Sequence, residues 1–366
     1  MYAPNPMLPG PVALHPDVIA AMSRDYGFGR NDEDFLPLCR AVGRNLARLL
    51  GTSNDVVLMT GEGMLALWGA LKSSLKPGDA VVSVGTGVFG DGIGDMAASF
   101  GCRVEKISLP YNHTLDSRDL ERIAEALRRI KPVMLTAVHC ETPSGTLHPL
   151  AELGRLKADL AVPLFYVDAV SSVGGAPVCA DDWHIDLALG ASQKCLSAPP
   201  SMSFVSVSDA AWERMAAVNY QGYDAILPFR ATCREAAIPP YTPYWHGVAA
   251  LYAAVLAIFR EGPGEVFARH EQVAAQCRAG LAGLDIGLWT EPGAVNSPTV
   301  TAALVPAGFD WPAWQKALSG RGLIVAGSFG PMAGKVFRLG HMGVQAHPHL
   351  MDMALDAMAD ALRRHI

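Results

Sequence analysis

"VVLMTGEGMLALWGALKSSL" (residues 56–75) joins a short β-branched run to an apolar stretch that is opened by glycines and closed before a "KPGD" turn. The first residues read as a strand and the remainder as a helix. The same unit recurs further along the chain. "AVVSVGTG" (80–87) predicts a strand followed by a helix through Met96, and "CRVEKISL" (102–109) predicts another strand. In the next helical segment Leu120, Ile123, Leu127 and Ile130 fall at helical spacing. The strands "PVMLTAVHC" and "PLFYVDAV" are separated by a helix at "PLAELGRLKADL", and "DLALGAS" and "MSFVSVS" add two more. Strand–helix alternation of this kind calls for a seven-stranded, mostly parallel sheet covered by helices on both faces.

After Tyr220 the pattern changes. "CREAAIPPYTPYW" is a Pro- and aromatic-rich crossing segment, and the helical stretch from His246 to about Leu284 is broken at "EGPG" (261–264). From Val295 short strands and helices alternate up to a closing helix near 348–364. The expected organisation is an N-terminal extension (1–15), a large α/β domain (16–258) and a smaller α+β domain (259–366).

Half of the 366 residues are hydrophobic and 17% are charged, which places the chain among ordered globular proteins. A formal net charge of −6 without a basic run argues against nucleic acid as a partner. No apolar run reaches membrane-spanning length, and the uncharged, Pro-punctuated N-terminus fits neither a secretory signal nor a transit peptide. The seven cysteines, among them Cys195 and Cys277, show no C-x-x-C spacing. They read as reduced thiols in a cytoplasm, with no metal site expected. Cys195 is weighed as a nucleophile and reads as a small packed hydrophobe.

In "LGASQKCLSAPP" (189–200), Lys194 lies among small and apolar neighbours, without a helical partner of opposite charge. A lysine stem ordinarily snorkels outward. The alternative is a desolvated amine whose lowered pKa suits it to condense with a carbonyl. Asp168 ends the apolar strand in "LFYVDAVSSVGG", where a buried carboxylate needs a cation or several donors. A protonated pyridine nitrogen would supply one, with Lys194 as the Schiff-base lysine of a pyridoxal enzyme. Glu62, Thr142, Asp168 and Lys194 all fall at or just after predicted strand ends, where such sheets bind ligands. Arg338, in "KVFRLGHMG", suits bidentate capture of a carboxylate or, alternatively, a salt bridge between domains. His139 and His341 border site segments, and each reads as a hydrogen-bonded structural histidine before a catalytic one.

The stretches "LPGPVALHP" (8–16), "GEGMLAL" (61–67), "GTGVFGDG" (85–92), "HCETPSGTLHPL" (139–150), "VDAVSSVGG" (167–175), "GASQKCLSAPP" (190–200), "PYTP" (240–243) and "GKVFRLGHMG" (334–343) span the chain in order. In them the sequence resembles the class V aminotransferases of pyridoxal-phosphate fold type I, in particular the alanine–glyoxylate and serine–pyruvate branch. The resemblance implies transamination between a small amino acid and a small 2-oxo acid, in a homodimer with sites at the interface. It implies Lys194 as Schiff-base lysine and proton shuttle, and Asp168 on the pyridinium nitrogen. Phe89 would stack on one face of the ring and Val170 on the other, with Thr142 near the phenolic oxygen. Gln193 and the amides around Glu62 and Gly63 would lie at the phosphate end, approached by Thr242 of a second subunit. Arg338 and the backbone near Gly10 would take the substrate carboxylate.

At the phosphate end most relatives carry a small hydroxyl residue where this chain has Glu62. A carboxylate about 4 Å from a phosphate costs roughly 4 kcal/mol per unit pair at an effective dielectric near 20. The sequence is also similar to the pyridoxamine–pyruvate aminotransferases, which take the unphosphorylated vitamer as substrate and carry a Glu there. Their second arginine, however, falls where this chain has Phe329, and Pro239 replaces a tyrosine of several phosphate-binding relatives. A cysteine desulfurase of the same fold would need a cysteine in the final domain's mobile loop, and the last one here is Cys277.

Overall fold

The computed structural model describes residues 4–26, 33–235 and 237–363. Seven strands form the large sheet: β1 (Asp55–Thr60), β2 (Ala80–Gly85), β3 (Arg103–Ser108), β4 (Met134–Val138), β5 (Leu164–Asp168), β6 (Leu187–Ala191) and β7 (Met202–Val207). Their order is β1-β7-β6-β5-β4-β2-β3, and only β7 runs antiparallel to its neighbours. Strand direction follows from the links. Helices return the chain between successive strands from β1 to β5, the long helix-free segment 169–186 crosses from β5 to β6, and the shorter loop that carries Lys194 joins β6 directly to β7.

Each strand alternates between two apolar layers. On β5, Phe165 and Val167 face one core while Leu164 and Tyr166 face the other. The helices Phe35–Leu49, Ser117–Ile130, Leu150–Asp159 and Trp245–Glu261 cover the first face, and Gly63–Ser74, Val88–Ser99 and Asp209–Val218 the second. Burial on both sides is why the inner strands read as continuous apolar runs, whereas the edge strand β3 is largely exposed. Phe35–Leu49 was not anticipated, although Val42, Leu46 and Leu49 lie at helical spacing and are buried.

The predicted break at "EGPG" is a turn at Gly262, whose φ of 99° suits glycine, between helices Trp245–Glu261 and Pro263–Gly283. Beyond it, β8 (Val300–Leu304), β9 (Ala326–Gly327) and β10 (Val336–Gly340) form an antiparallel sheet in the order β8-β10-β9. Arg338 sits on the central strand. The helices Pro263–Gly283, Trp311–Ser319 and Pro348–Arg363 close the core of this unit. No helix among the described residues is long and apolar enough to cross a membrane.

Several polar contacts set the smaller unit against the larger. His113 lies between Asp119, at 2.8 Å, and Glu291, and the Ser328 hydroxyl donates to the Pro143 carbonyl at 2.7 Å. The N-terminal segment threads the seam. Asn5–Pro6 pairs in parallel with Leu323–Ile324, Met7 accepts the Gly340 amide at 2.7 Å, and Val12 donates to the Gln193 carbonyl at 3.1 Å.

Candidate active site

The parallel strands point their C-terminal ends at one mouth, where Glu62, Phe89, Thr142, Asp168 and Lys194 leave the sheet. Lys194 follows β6 and is half-buried. Its Nζ donates to the Pro9 carbonyl at 2.6 Å. Burial lowers its pKa, and the nearby Arg338 charge pushes the same way. Gly10 leaves the lysine its space: a Cβ there would fall 2.6 Å from both Cδ and Nζ, and the φ of 99° independently favours glycine.

Asp168 is buried at the end of β5, and its Oδ1 accepts the Val170 amide at 2.9 Å. Burial pushes the carboxyl up to about 6, against the pull of that amide and of the Lys194 charge. Val170 packs within van der Waals reach of Gly63, at the start of the Gly63–Ser74 helix. Thr142, also buried, shares a 2.6 Å hydrogen bond with the Ser171 hydroxyl. Gln193 is buried, and its Oε1 has no hydrogen-bond donor among the described residues.

Arg338 is buried on β10. Its Nε donates to the Gly327 carbonyl at 2.8 Å, and its guanidinium lies 4.6 Å from the centre of the Phe329 ring. It makes no ion pair among the described residues, so the interdomain salt bridge weighed above has no counterpart here. Desolvation lowers its pKa to about 10. A buried guanidinium stacked on an aromatic ring retains hydrogen-bond donors suited to a carboxylate.

Glu62 occupies the N-cap of its helix with an exposed side chain that makes no capping hydrogen bond. Thr242 is exposed on the wall of a groove of about 630 Å³, bounded by β1, the Phe35–Leu49 helix and the 239–244 segment. This groove contains none of the other predicted site residues.

The remaining candidates are packed groups. Cys195 is buried with its thiol pushed up to about 12, which removes the thiolate a nucleophile needs. His139 bonds Ser172 at 2.9 Å and meets Trp183 edge-on, and His341 bonds Thr301 and the Pro298 carbonyl, each at 2.9 Å. Burial lowers them to about 4 and about 3 respectively, so both are neutral structural histidines. Sequence reasoning assigned no role to Glu141. It is fully buried, and its two oxygens accept the Phe89 and Gly90 amides at 2.7 and 3.1 Å. Burial pushes it up to about 8; the two amides pull it back, and the Asp168 and Asp91 charges push it further up.

Residues 33–339 match the family "Aminotransferase class-V". The chain is 32% identical to the pyridoxamine–pyruvate transaminase of Mesorhizobium japonicum, over 96% of this chain and 90% of that one. It is 30% identical to the alanine–glyoxylate aminotransferase of Callithrix jacchus, over 97% and 86%. Among solved structures, the ureidoglycine–glyoxylate aminotransferase of Bacillus subtilis superposes with a TM-score of 0.94 at 29% identity, covering 100% of this chain and 94% of that one. A doubly covered parallel sheet, a lysine loop between its last two strands and these relatives lead to one conclusion: the chain belongs to the class V aminotransferases of fold type I.

Proposed function

We propose that this enzyme moves an amino group from a small amino acid, of the alanine or serine kind, to a small 2-oxo acid such as glyoxylate or pyruvate, with pyridoxal 5′-phosphate as cofactor. The observation that carries the proposal is the grouping of three features: a desolvated Lys194 amine, a buried Asp168, and an Arg338 without an ion pair among the described residues. Gln193, buried with its Oε1 unpartnered, adds a polar contact for a ligand. These groups fit a pyridoxal ring.

When bound, the cofactor supplies an aldehyde for amines and a ring that accepts electrons. The protein's part follows from its own residues. Lys194 takes and returns the proton exchanged between the two carbon centres. Asp168 holds a proton on the ring nitrogen, Phe89 and Val170 hold the two faces, and Thr142 stands by the phenolic oxygen. Gly63, Gln193 and Thr242 of a second copy hold the phosphate end, which makes the working form a homodimer. Arg338, helped by the backbone at Gly10, orients the substrate carboxylate. Incubation with alanine or serine plus glyoxylate or pyruvate should exchange the amino group; no exchange with any of these pairs would overturn the proposal.

Arg338→Lys keeps a charge but loses the planar fork. kcat/KM for amino acids should fall by about 2–3 kcal/mol, roughly a hundredfold, while amines without a carboxylate keep their rate. Equal loss for both classes would show that Arg338 serves only to hold β9 and β10 together.

A second reading rests on Glu62, whose side chain lies at a helix start without capping it. That position attracts anions, and a carboxylate there competes with a phosphate. In this reading unphosphorylated pyridoxamine is the substrate and pyruvate the acceptor. Glu62→Ser is then expected to shift the affinity ratio toward pyridoxal 5′-phosphate by several kcal/mol, against a modest tightening if the cofactor is phosphorylated. Titration of the variant with both vitamers separates the two cases, and an unchanged ratio would remove Glu62 from either.

A further inference from the structure

The short hairpin Cys140–Glu141 and Thr146–Leu147 carries into the interior a carboxylate that the roles above leave without work. Glu141 does not pair with a cation. Its oxygens instead accept the amides of Phe89 and Gly90, in the first turn of the Val88–Ser99 helix. Gly87, the N-cap of that helix, offers no side chain to do so. It also makes the approach possible, because a Cβ at Gly87 would fall 2.2 Å from Glu141 Cγ. With a φ of 170° Gly87 is ordinary extended backbone, so space alone excludes a side chain there.

A serine at the N-cap would satisfy one first-turn amide at little cost. A fully buried carboxylate is far more expensive, and here it stands near the Asp168 and Asp91 charges. What two bonds to one buried side chain add is a fixed backbone at Phe89. A single bond would leave the peptide free to pivot.

We propose that Glu141 is a positioning residue that clamps the Phe89 backbone, and so fixes the depth at which the Phe89 ring meets the cofactor ring. This rests on the stacking role given to Phe89 above. It explains why the strand end next to Asp168 carries an acid that touches neither lysine nor arginine among the described residues. The partner is a pair of amides, and the consequence falls on the side chain between them.

The test is a double-mutant cycle on the holoenzyme, read by the dissociation constant of pyridoxal 5′-phosphate and by the visible circular dichroism of the bound chromophore. Glu141→Gln keeps one acceptor oxygen and turns an NH2 toward the other amide, so binding should weaken about tenfold, as for one lost hydrogen bond, and the dichroic band should diminish. Phe89→Ala should weaken binding at least as much. The double variant should be no weaker than Phe89→Ala alone, because the clamp has nothing left to position. If Glu141→Gln fails to fold, Gly87→Ala displaces the same carboxylate with its charge intact and enters the cycle in its place. Additive losses, or unchanged binding and dichroism in the clamp variant, overturn the proposal while leaving Phe89 as a stacking residue. Unchanged binding in Phe89→Ala overturns the stacking role, and the clamp with it.

Discussion

Lys194→Ala is expected to lower the single-turnover rate of amino transfer by on the order of 10⁴-fold or more, with the fold intact. General acid–base catalysis by one positioned side chain is worth about 10²–10⁴, and this lysine is also assigned the covalent attachment. Its surroundings favour the uncharged amine. Burial and the Arg338 charge lower its pKa, and its Nζ has a single carbonyl, that of Pro9, as hydrogen-bond partner among the described residues. The lysine stem also fills the space that Gly10 leaves open, so truncation removes a reagent without disturbing a core. Borohydride reduction of the holoenzyme followed by peptide mapping should label Lys194. A label on another lysine would refute the assignment.

Much of this architecture is legible because the inner strands of the large sheet are buried on both faces, so their apolar runs are unbroken and Gly or Pro turns bound them. The antiparallel direction of β7 was not read from the sequence: the parallel β5–β6 link lacks a helix as well, so a missing helix does not by itself fix strand direction. Lys194 and Asp168 stand out as charges that an apolar strand end does not explain. Arg338 stands out for the same reason. Its setting does not, because the Gly327 carbonyl and the Phe329 ring reach it only once β9 pairs with β10.

Glu141 was invisible for a different reason. Its partners are backbone amides, which every residue possesses, and they lie far upstream at Phe89 and Gly90. The only sequence trace is the absence of a capping side chain at Gly87, which becomes informative once the helix start is known. The Phe35–Leu49 helix carries Pro37 in its first turn, where a proline is compatible with a helix.

Asp168→Asn is expected to slow the same half-reaction by roughly a hundred- to a thousandfold, the usual range for removing one preorganised electrostatic group. The substitution keeps the shape and still offers an oxygen to the Val170 amide, so β5 and the turn after it should hold. What it removes is the charge. Burial pushes this carboxyl up to about 6 even against the Val170 amide and the Lys194 charge, which means that it ionises reluctantly in the protein. In the proposed role, a protonated ring nitrogen would supply a cation beside it. Asparagine is neutral and cannot hold the nitrogen protonated, so the ring withdraws electrons less well and proton removal from the substrate slows. Lys194 still attaches normally in this variant, and binding should change far less than rate. Stopped-flow measurement of the half-reaction separates the two, and a rate equal to that of the unaltered enzyme would end the assignment of Asp168 to the ring nitrogen.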